Sequence, residues 1–584
     1  MRKFRYPVDT DQFQEIREQG KLYVDKTDMM YELANEYKYV FLARPRRFGK
    51  SLLCNTFKAY FQGQKELFEA CPEQGRRACP ESEFMVSSSN QRGLKVMELE
   101  KEWKTYPVLH FDMSMMRNCT TLQDMSDVLE AMIEKYEKQY GTSKRINDFG
   151  SRFDQLIRYI HDTQGQKVVV IIDEYDTPMM RNLYNEDLLD GLRTMLRGFY
   201  QTVKLDGAYL RFVFITGVTK FSQLSIFSEL NNLKQISMMD EYFGICGITQ
   251  EELDTTLRPC VEEYAENQEI TVDEAYALLK KNYDGYHFSK KSKDVYAPFS
   301  LLNALNDNDT MHYWFESGTS SSLLEHLKHF PITCALDYDG VAVSENEFSI
   351  PCENAETPMP LLYQSGYLTI DTYDARLRTY TLHFPNLEVR KGMISCLMPL
   401  ILRRSTADGN SLVRNMARAV FDGNLSDALA ALRSYIAKIP YDIITKEDWD
   451  DKEKRESFYK LLFYMVFSLL NSTVDTEVKS ILGRADVVIK TDTDIFVLEL
   501  KVDDTVENAL TQIDDKGYAI PYEAEGRTIT KCGISISSEQ RNITHWRIVD
   551  REGNIMDEQQ FITSFVHSQE TTIKISQELK KVRK

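Results

Sequence analysis

The sequence predicts an α/β protein in which a parallel sheet with helices on both faces comes first, a helical region follows, and a second α/β domain comes last. Long stretches with helical patterning separate four short β-rich runs near the start of the chain, and this alternation favours a parallel sheet. Residues 250–340 then become helical, and two strand-like runs with a helix open the last module. The four early runs are Tyr39–Leu42, Val108–Phe111, Val168–Ile172 and Phe212–Thr216.

Length and composition limit the class of protein. The chain has 584 residues, several times the length of one ordinary core, and its 42% hydrophobic and 27% charged residues are typical of a soluble globular protein. The net charge of -18, from 71 Lys+Arg and 89 Asp+Glu, excludes a generic attraction for nucleic acid. Any contact with DNA or RNA therefore requires a local basic surface or metal ions.

The cellular compartment is indicated by signals that the sequence lacks. The N-terminal residues contain no apolar leader, and the ten cysteines include no CxxC pair. The longest apolar run, Leu461–Leu470, is too short to cross a bilayer and predicts a buried helix. We therefore expect a cytoplasmic protein without membrane contact, disulfide framework or zinc ribbon.

The segment ARPRRFGKS ends like a phosphate-binding loop. Its Gly49, Lys50 and Ser51 follow the strand YVFL and open the helix SLLCNTFKAYF. In such loops backbone N–H groups and the lysine bind phosphates, and the hydroxyl ligates Mg²⁺. Arg44 stands where the first glycine is expected, and Arg46 and Arg47 add further positive charge. We expect these arginines to lie beside the phosphates, or else to face a nucleic acid or a neighbouring subunit in a homo-oligomer.

An acidic strand supports the nucleotide site. The run VVVII ends in Asp173 and Glu174. An Asp at the carboxyl end of a buried strand can bind the nucleotide's Mg²⁺, and the following Glu can orient the attacking water. The alternative is a core strand followed by a polar turn. A third strand, FVFIT, ends near Thr216 and Thr219, either of which could sense the γ-phosphate.

A second constellation near the C-terminus has the composition of a metal site. Asp486 begins one strand-like run, and Glu499 and Lys501 lie on the next. Because side chains at i and i+2 share one face of a strand, Glu499 and Lys501 should project together while Leu498 and Leu500 face the other layer. Carboxylates that hold Mg²⁺ beside a lysine can cleave phosphodiesters. The alternative is a cross-strand ion pair on a solvated face.

This spacing resembles the PD-(D/E)XK nuclease pattern. The resemblance implies metal binding by Asp486 and Glu499, with Mg²⁺ or Mn²⁺, and activation of water by Lys501. Gln512 and Tyr518 are similar to the glutamine and tyrosine of the RecB-like branch. Glu477 would be the extra helical carboxylate that some branches use.

The stretches GKLYVDKT, YVFLARPRRFGKSLL, VVVIIDEYDTPM and FITGVTKFSQLSIFSELNNL resemble the bacterial AAA-ATPase-like family, whose members commonly carry such a nuclease-like domain at the C-terminus. YDGYHF and YAPFSLLNAL continue the resemblance through the middle of the chain. An arginine-rich loop without the first glycine is usual in that family. The resemblance implies that ATP and Mg²⁺ bind at Arg44, Arg46, Arg47, Gly49, Lys50, Ser51, Asp173 and Thr216.

Five regions follow from these motifs. The first is a P-loop ATPase domain with helices on both faces of its sheet, and helical segments come next. The stretches LLYQSGYLTI and RTYTLHF and the helix after Pro385 predict a winged-helix-like module with a helical linker. A nuclease-like domain and a basic tail complete the chain. The predicted boundaries are 1–250, 251–340, 341–440, 441–570 and 571–584.

Three functional hypotheses fit these motifs. The first is an ATPase whose nucleotide cycle gates Mg²⁺-dependent cleavage of DNA or RNA. Its catalytic groups would be Glu174 in the ATPase and Asp486, Glu499 and Lys501 in the nuclease, with Gln512 and Tyr518 in support. The second is a nucleotide-dependent switch or scaffold that binds nucleic acid or protein without cutting it. The third is a nuclease whose ATPase domain is retained only as a structural core.

Overall fold

The computed structural model divides the chain into two compact units, Met1–Met393 and Ile394–Lys584. The predicted basic tail at 571–584 lies outside the described residues. The described residues are 4–70, 93–142, 148–219, 233–291, 293–314, 326–330, 340–350, 355–402, 406–439, 449–468, 473–480, 483–491 and 493–561.

A five-stranded parallel sheet organises the first unit, and its strand order is β2-β3-β4-β1-β5. The four predicted strands are confirmed, and a short fifth strand lies at one edge. The strands are β1 Tyr39–Ala43, β2 Val108–Asp112, β3 Val168–Asp173, β4 Leu210–Gly217 and β5 Lys234–Gln235.

Helices connect the first four strands, as parallel strands require. The helix after β2 begins at a capping box formed by Thr121 and Asp124 and ends at Gly141, which has a positive φ. The helices of this region are α1 Phe13–Glu18, α2 Thr27–Glu36, α3 Lys50–Phe61, α4 Val96–Leu99, α5 Leu122–Tyr140, α6 Phe149–Gln164, α7 Thr177–Met180 and α8 Glu186–Leu205.

The apolar core around the sheet confines the acidic residues of β2 and β3 to the carboxyl ends of these strands. Every residue of β3 is buried, and Phe111, Phe153 and Phe199 pack together on one face of the sheet. An apolar strand of this kind exposes its polar residues only at its end. Asp112 lies opposite Asp173 in the register of β2 and β3, so the carboxyl edge of the sheet carries the acidic side chains.

The middle region is helical, as predicted, with one β-pair and one small sheet. The pair is β6 Ile248–Thr249 and β7 Val295–Tyr296, and the antiparallel sheet β8-β10-β9 contains Val341–Ser344, Thr379–His383 and Thr369–Asp374. A helix, a hairpin and a second helix follow one another here in the predicted order. The helices are α9 Gln250–Thr255, α10 Arg258–Gln268, α11 Val272–Tyr283, α12 Pro298–Asp307, α13 Met359–Ser365 and α14 Leu387–Leu402.

The second unit is built on a six-stranded mixed sheet in chain order. Only β13 and β14 pair in parallel, and the helix between them makes the crossover. The strands are β11 Thr473–Ser480, β12 Gly483–Lys490, β13 Asp494–Val502, β14 Thr528–Ser537, β15 Asn542–Val549 and β16 Ile555–Gln560. The helices are α15 Thr406–Phe421, α16 Leu425–Ile436, α17 Lys452–Ser468 and α18 Val506–Asp515.

Two sequence predictions bear on this unit. The apolar run beginning at Leu461 is part of α17, as expected, and among the described helices none has the length and apolar composition that crossing a membrane would need. The prediction that Glu477 is a helical carboxylate is wrong, because this residue lies in strand β11.

Close packing of α18 on β14 generates the first prediction. A Cβ on Gly533 would lie 2.5 Å from the carbonyl oxygen of Val506 and 3.1 Å from Cγ of Leu510. Gly533→Ala should therefore lower the free energy of unfolding by about 1–3 kcal/mol, because the helix must move away. Chemical denaturation followed by circular dichroism measures this change. Thr528→Ala, at an exposed position of the same strand, should change it by less than about 0.5 kcal/mol, and equal losses in both variants would contradict the close packing.

Candidate functional site

The phosphate-loop residues lie between β1 and α3. Gly49 has φ +90° and occupies the N-cap position of α3, a conformation that glycine adopts without strain. Lys50 is buried, and its Nζ donates to the carbonyl oxygens of Arg44 and Pro45 at 3.1 and 2.9 Å. The ammonium group therefore lies inside the curve of the loop, at the N-terminus of a three-turn helix.

The structure turns Arg44 away from this loop. The residue is 2% exposed, its guanidinium donates to the carbonyl oxygens of Ser237 and Tyr242 at 2.6 and 3.3 Å, and it stacks on the Phe288 ring at 4.1 Å. Burial lowers the pKa of Arg44 to about 10. The expected contact between Arg44 and phosphate is therefore corrected: backbone carbonyls bind both terminal nitrogens of the guanidinium, and the side chain braces the loop.

Aromatic residues of the middle region hold the rest of the loop. Phe48 packs on Tyr286 and Phe288, with ring centroids 4.7 and 5.5 Å apart. The indole N–H of Trp314 donates to the carbonyl oxygen of Arg46 at 3.1 Å. Arg47 is exposed, and its guanidinium lies 4.7 Å from the Phe299 ring centroid. The YDGYHF and YAPF segments thus support the loop, with the side chain of Arg46 half-buried and that of Arg47 at the surface.

The acidic strand meets the loop at the carboxyl edge of the sheet. Asp173 is 3% exposed, and it accepts a hydrogen bond from the Ser51 hydroxyl and another from the backbone N–H of Glu174 at 2.9 Å. Burial raises the pKa of Asp173 to about 6, while Ser51 and Lys50 oppose the shift. The structure thus brings Lys50, Ser51 and Asp173 together, and Asp112 adds a negative charge that the sequence reasoning missed.

Glu174 follows in a left-handed backbone conformation, with φ +49°. Its carboxylate accepts a hydrogen bond from the Thr177 hydroxyl at 2.9 Å and lies 3.6 Å from the guanidinium of Arg117. Burial lowers the pKa of Arg181, and the positive charges of Arg46 and Arg117 lower it further. Arg117 therefore pairs with this carboxylate, and Arg181 lies close enough to feel the charge of Glu174. No motif marked Arg117 or Arg181, because each is an isolated arginine in a turn region.

The two predicted sensor threonines have other partners. Thr216 is fully buried, and its hydroxyl donates to the carbonyl oxygen of Leu42 on the adjacent strand at 2.8 Å. The backbone N–H and the hydroxyl of Thr219 both donate to Asp176, at 2.6 and 2.7 Å. Thr216 therefore joins β4 to β1, and the structure does not bring its hydroxyl to the loop.

An apolar cavity of about 90 Å³ lies beside Gly49. It has few polar groups and is next to the backbone of the phosphate loop. Its lining includes Tyr23, Val24, Phe48, Leu53, Ile248 and Pro298.

The second site lies on β13, where Glu499 is 1% exposed. Its Oε1 accepts hydrogen bonds from Lys501 Nζ at 3.2 Å and from Gln512 Nε2 at 2.5 Å. Its Oε2 is buried and has no hydrogen-bonding partner within the described ranges. Burial raises the pKa of Glu499, and the charge of Asp486 raises it further. Glu499 therefore pairs with Lys501 through Oε1 and leaves a desolvated Oε2 that has no hydrogen-bond donor in the described part of the chain.

Asp486 approaches from the neighbouring strand. Its Oδ2 accepts a hydrogen bond from the backbone N–H of Leu500 at 2.9 Å, and its Oδ1 pairs with Lys460 Nζ at 2.9 Å. Lys460 lies on α17, and the charges of both Asp486 and Glu499 raise its pKa against the effect of burial. Two carboxylates and two lysines thus form one charge cluster.

Gln512 and Tyr518 complete the set that the sequence indicated. The amide of Gln512 accepts from Lys501 Nζ at 2.5 Å, and its Nε2 lies 3.3 Å from Tyr518 Oη. Helix α18 thereby holds the positions of both Glu499 and Lys501. By contrast, the Asp504 carboxylate accepts from the backbone N–H of Thr505 at the start of α18, where a negative charge stabilises the helix N-terminus.

Sequence reasoning missed two residues of α17. Lys460 contacts Asp486, and Glu456 lies one turn before Lys460 and raises its pKa. The signal available was the i, i+4 spacing of charged residues beside an apolar run, a pattern that is common on solvated helices.

The raised pKa of Asp173 generates a pH prediction. A carboxyl group with a pKa raised from 3.8 to about 6 stabilises the fold at low pH, and this contribution is lost as the pH rises through about 6. Asp173→Asn cannot ionise, so between about pH 5 and pH 7.5 it should gain about 1 kcal/mol of unfolding free energy relative to the parent. Denaturation in the presence of a chelator measures this difference.

Asp127→Asn, on the exposed face of α5, is the matched control and should follow the parent at both pH values. An Asp173→Asn variant whose stability has the same pH dependence as the parent would show that Asp173 is ionised throughout this range.

Comparisons with known proteins identify two domains in this chain. A family model described as a predicted AAA-ATPase matches residues 7–227, and a PD-(D/E)XK nuclease superfamily model matches residues 454–546. A protein of Azotobacter chroococcum mcd 1, described as an uncharacterized protein in the vnfD 5' region, is 30% identical over 556 residues, which cover 93% of this chain and 98% of that relative. The chain therefore belongs to the family of AAA-ATPase-like proteins that carry a PD-(D/E)XK nuclease-superfamily domain near the C-terminal end.

Proposed function

We propose that the first unit binds and hydrolyses ATP with Mg²⁺, and that the second unit cleaves DNA or RNA with Mg²⁺ or Mn²⁺. One observation carries each half of the proposal. In the first unit, Lys50, Ser51 and a buried Asp173 converge at the carboxyl edge of a parallel sheet. In the second, a buried Glu499 oxygen lacks a partner among the described residues and lies beside Asp486, Lys501 and Gln512.

The ATPase roles follow from chemistry at the loop. Lys50 would leave the loop carbonyls to bind the outer phosphates, and backbone N–H groups at the start of α3 would bind the others. Ser51 and Asp173 fit a nucleotide-bound Mg²⁺, which would neutralise developing phosphate charge. Glu174 would orient the attacking water, and its release from Arg117 would free that arginine for the γ-phosphate. The apolar cavity beside Gly49 suits the base of the nucleotide.

The nuclease roles follow from the buried carboxylates. Asp486 and the unpartnered Oε2 of Glu499 fit a hard divalent cation, which would lower the pKa of a bound water. Lys501, held by Gln512, would orient that water. Lys460 would give up its pairing with Asp486 and be free to bind the scissile phosphate. Gln512 and Tyr518 would fix the geometry through the crossover helix.

Charge around this site favours nucleic acid over protein as the partner of the second unit. Lys460 and Lys501 are 46% and 22% exposed in their side chains, and Lys452 lies two turns before Lys460 on the same helix. Although the chain has a net charge of -18, it places lysines around the carboxylates of Asp486 and Glu499. Such a local basic rim is the feature that binding a phosphate backbone requires.

The ATPase proposal is tested with Lys50→Ala. Loss of the ammonium group should lower the ATP hydrolysis rate by about 100-fold or more, because one preorganised charge is worth about that much in the transition state. Phosphate release by the purified full-length protein measures the rate. Lys65→Ala, an exposed residue just beyond α3, should retain the parental rate. Equal rates of ATP hydrolysis by the Lys50→Ala variant and the parent would contradict the assignment of this segment as a phosphate-binding loop.

The nuclease proposal is tested with Glu499→Gln. The amide keeps the shape but loses the charge that holds the metal, so cleavage should fall by about 1,000-fold. Labelled single- and double-stranded DNA and RNA with Mg²⁺ or Mn²⁺ measure the activity, with and without ATP to reveal gating. Asp515→Asn, exposed on α18, is the matched control and should cleave like the parent.

Two outcomes would contradict this half of the proposal. Identical digestion by Glu499→Gln and parent would identify a contaminating nuclease. Metal-dependent binding without cleavage of any of the four substrates, by protein that hydrolyses ATP, would favour the switch or scaffold.

A further inference from the structure

Three side chains of the types that bind metal ions lie close together near the phosphate loop. Cys54 lies one turn into α3, His110 lies in β2, and Asp173 ends β3. One ligand atom from each residue, the thiol sulfur, an imidazole nitrogen and a carboxylate oxygen, lies within 4.8 Å of the other two. Tetrahedral zinc sites with bonds of about 2.0–2.3 Å separate their ligand atoms by about 3.5 Å, so small side-chain rotations would bring these three to bonding distance.

The Cys54 thiol and the His110 imidazole have no protein partner that would prevent them from binding a metal ion in the described part of the chain. Cys54 is a free thiol with no exposed surface. The backbone N–H of His110 donates to Tyr136 Oη at 2.8 Å, and Tyr136 Oη donates back to the His110 carbonyl oxygen at 2.8 Å. Strand β2 is thus held in place, but Nε2 of His110 is buried and has no hydrogen-bonding partner in the described part of the chain. An unpaired buried nitrogen of this kind costs free energy unless a ligand occupies it.

The donor set selects the class of ligand. Sulfur, nitrogen and oxygen donors together suit Zn²⁺ and related late transition metals, whereas Mg²⁺ prefers oxygen alone. A cysteine, histidine and aspartate could also form a nucleophilic triad. Complete burial of Cys54 argues against that alternative, because a substrate would have no access to the sulfur.

We propose that Cys54, His110 and Asp173 form a binding site for a zinc-class transition metal, separate in ligand chemistry from the nucleotide's Mg²⁺. As the metal–sulfur bond forms, the Cys54 thiol releases its proton to solvent. Three protein ligands leave the fourth tetrahedral position for a water molecule. One consequence rests on the proposed function: because Asp173 belongs to both sites, a bound transition metal and ATP-Mg²⁺ exclude each other.

Cobalt(II) is the probe for this site, because a thiolate ligand gives it a charge-transfer band in the near ultraviolet. Titration of the metal-free full-length protein with Co²⁺, without nucleotide, should produce this band, and Zn²⁺ should abolish it. Cys54→Ser should lose the band, and His110→Ala should bind Co²⁺ at least about tenfold more weakly, since one ligand bond is lost. Cys260→Ser, another buried free cysteine of the same unit, is the matched control and should keep the band.

The controls separate this proposal from the nucleotide site. Lys50→Ala should keep the cobalt band even though it is expected to lose ATP hydrolysis, so either proposal can fail without the other. Circular dichroism checks that each variant is folded, and if Cys54→Ser is not, Asp173→Asn and His110→Ala provide the test. No thiolate band in the parent, or an unchanged band in folded Cys54→Ser, would overturn the proposal.

Discussion

A buried carboxylate whose charge is only partly compensated is the constraint around which each candidate site is built. Asp173 and Glu499 are 3% and 1% exposed, and desolvation raises the pKa of both. Burying such charges is costly unless a partner compensates them. In the first unit Ser51 and Lys50 provide part of the compensation, and in the second Lys501 and Gln512 do so. The negative charge that these partners do not compensate is the physical reason for proposing that a cation binds at each site.

The phosphate loop of this chain is supported differently from a glycine-opened loop. Arg44 fills the position of the first glycine but does not point at a ligand; it ties the loop to Ser237, Tyr242 and the ring of Phe288. Phe48 adds aromatic contacts on the same side. The middle region is thereby part of the loop's support.

The second unit uses a crossover helix to set its geometry. Helix α18 packs so closely on β14 that Gly533 has no room for a side chain, and the same helix presents Gln512 to Glu499 and Lys501. Helix α17 presents Lys460 to Asp486 from a different part of the chain. Positive charge is therefore supplied to the carboxylates both from within the E-x-K strand and from outside it. This arrangement suits a site that binds an anionic phosphate group through a bound metal cation.

The sequence by itself determined the strands and their faces. Apolar runs closed by polar residues predicted β3 with Asp173 at its end, and the two-residue repeat of a strand predicted that Glu499 and Lys501 share a face, because both depend on local geometry. Only the tertiary structure decided the direction of Arg44, the pairing of Lys460 with Asp486, and the meeting of Cys54 with His110. These contacts join residues that are far apart in the chain. Local patterning specifies which face a side chain occupies, whereas its partner on that face depends on how separate elements pack.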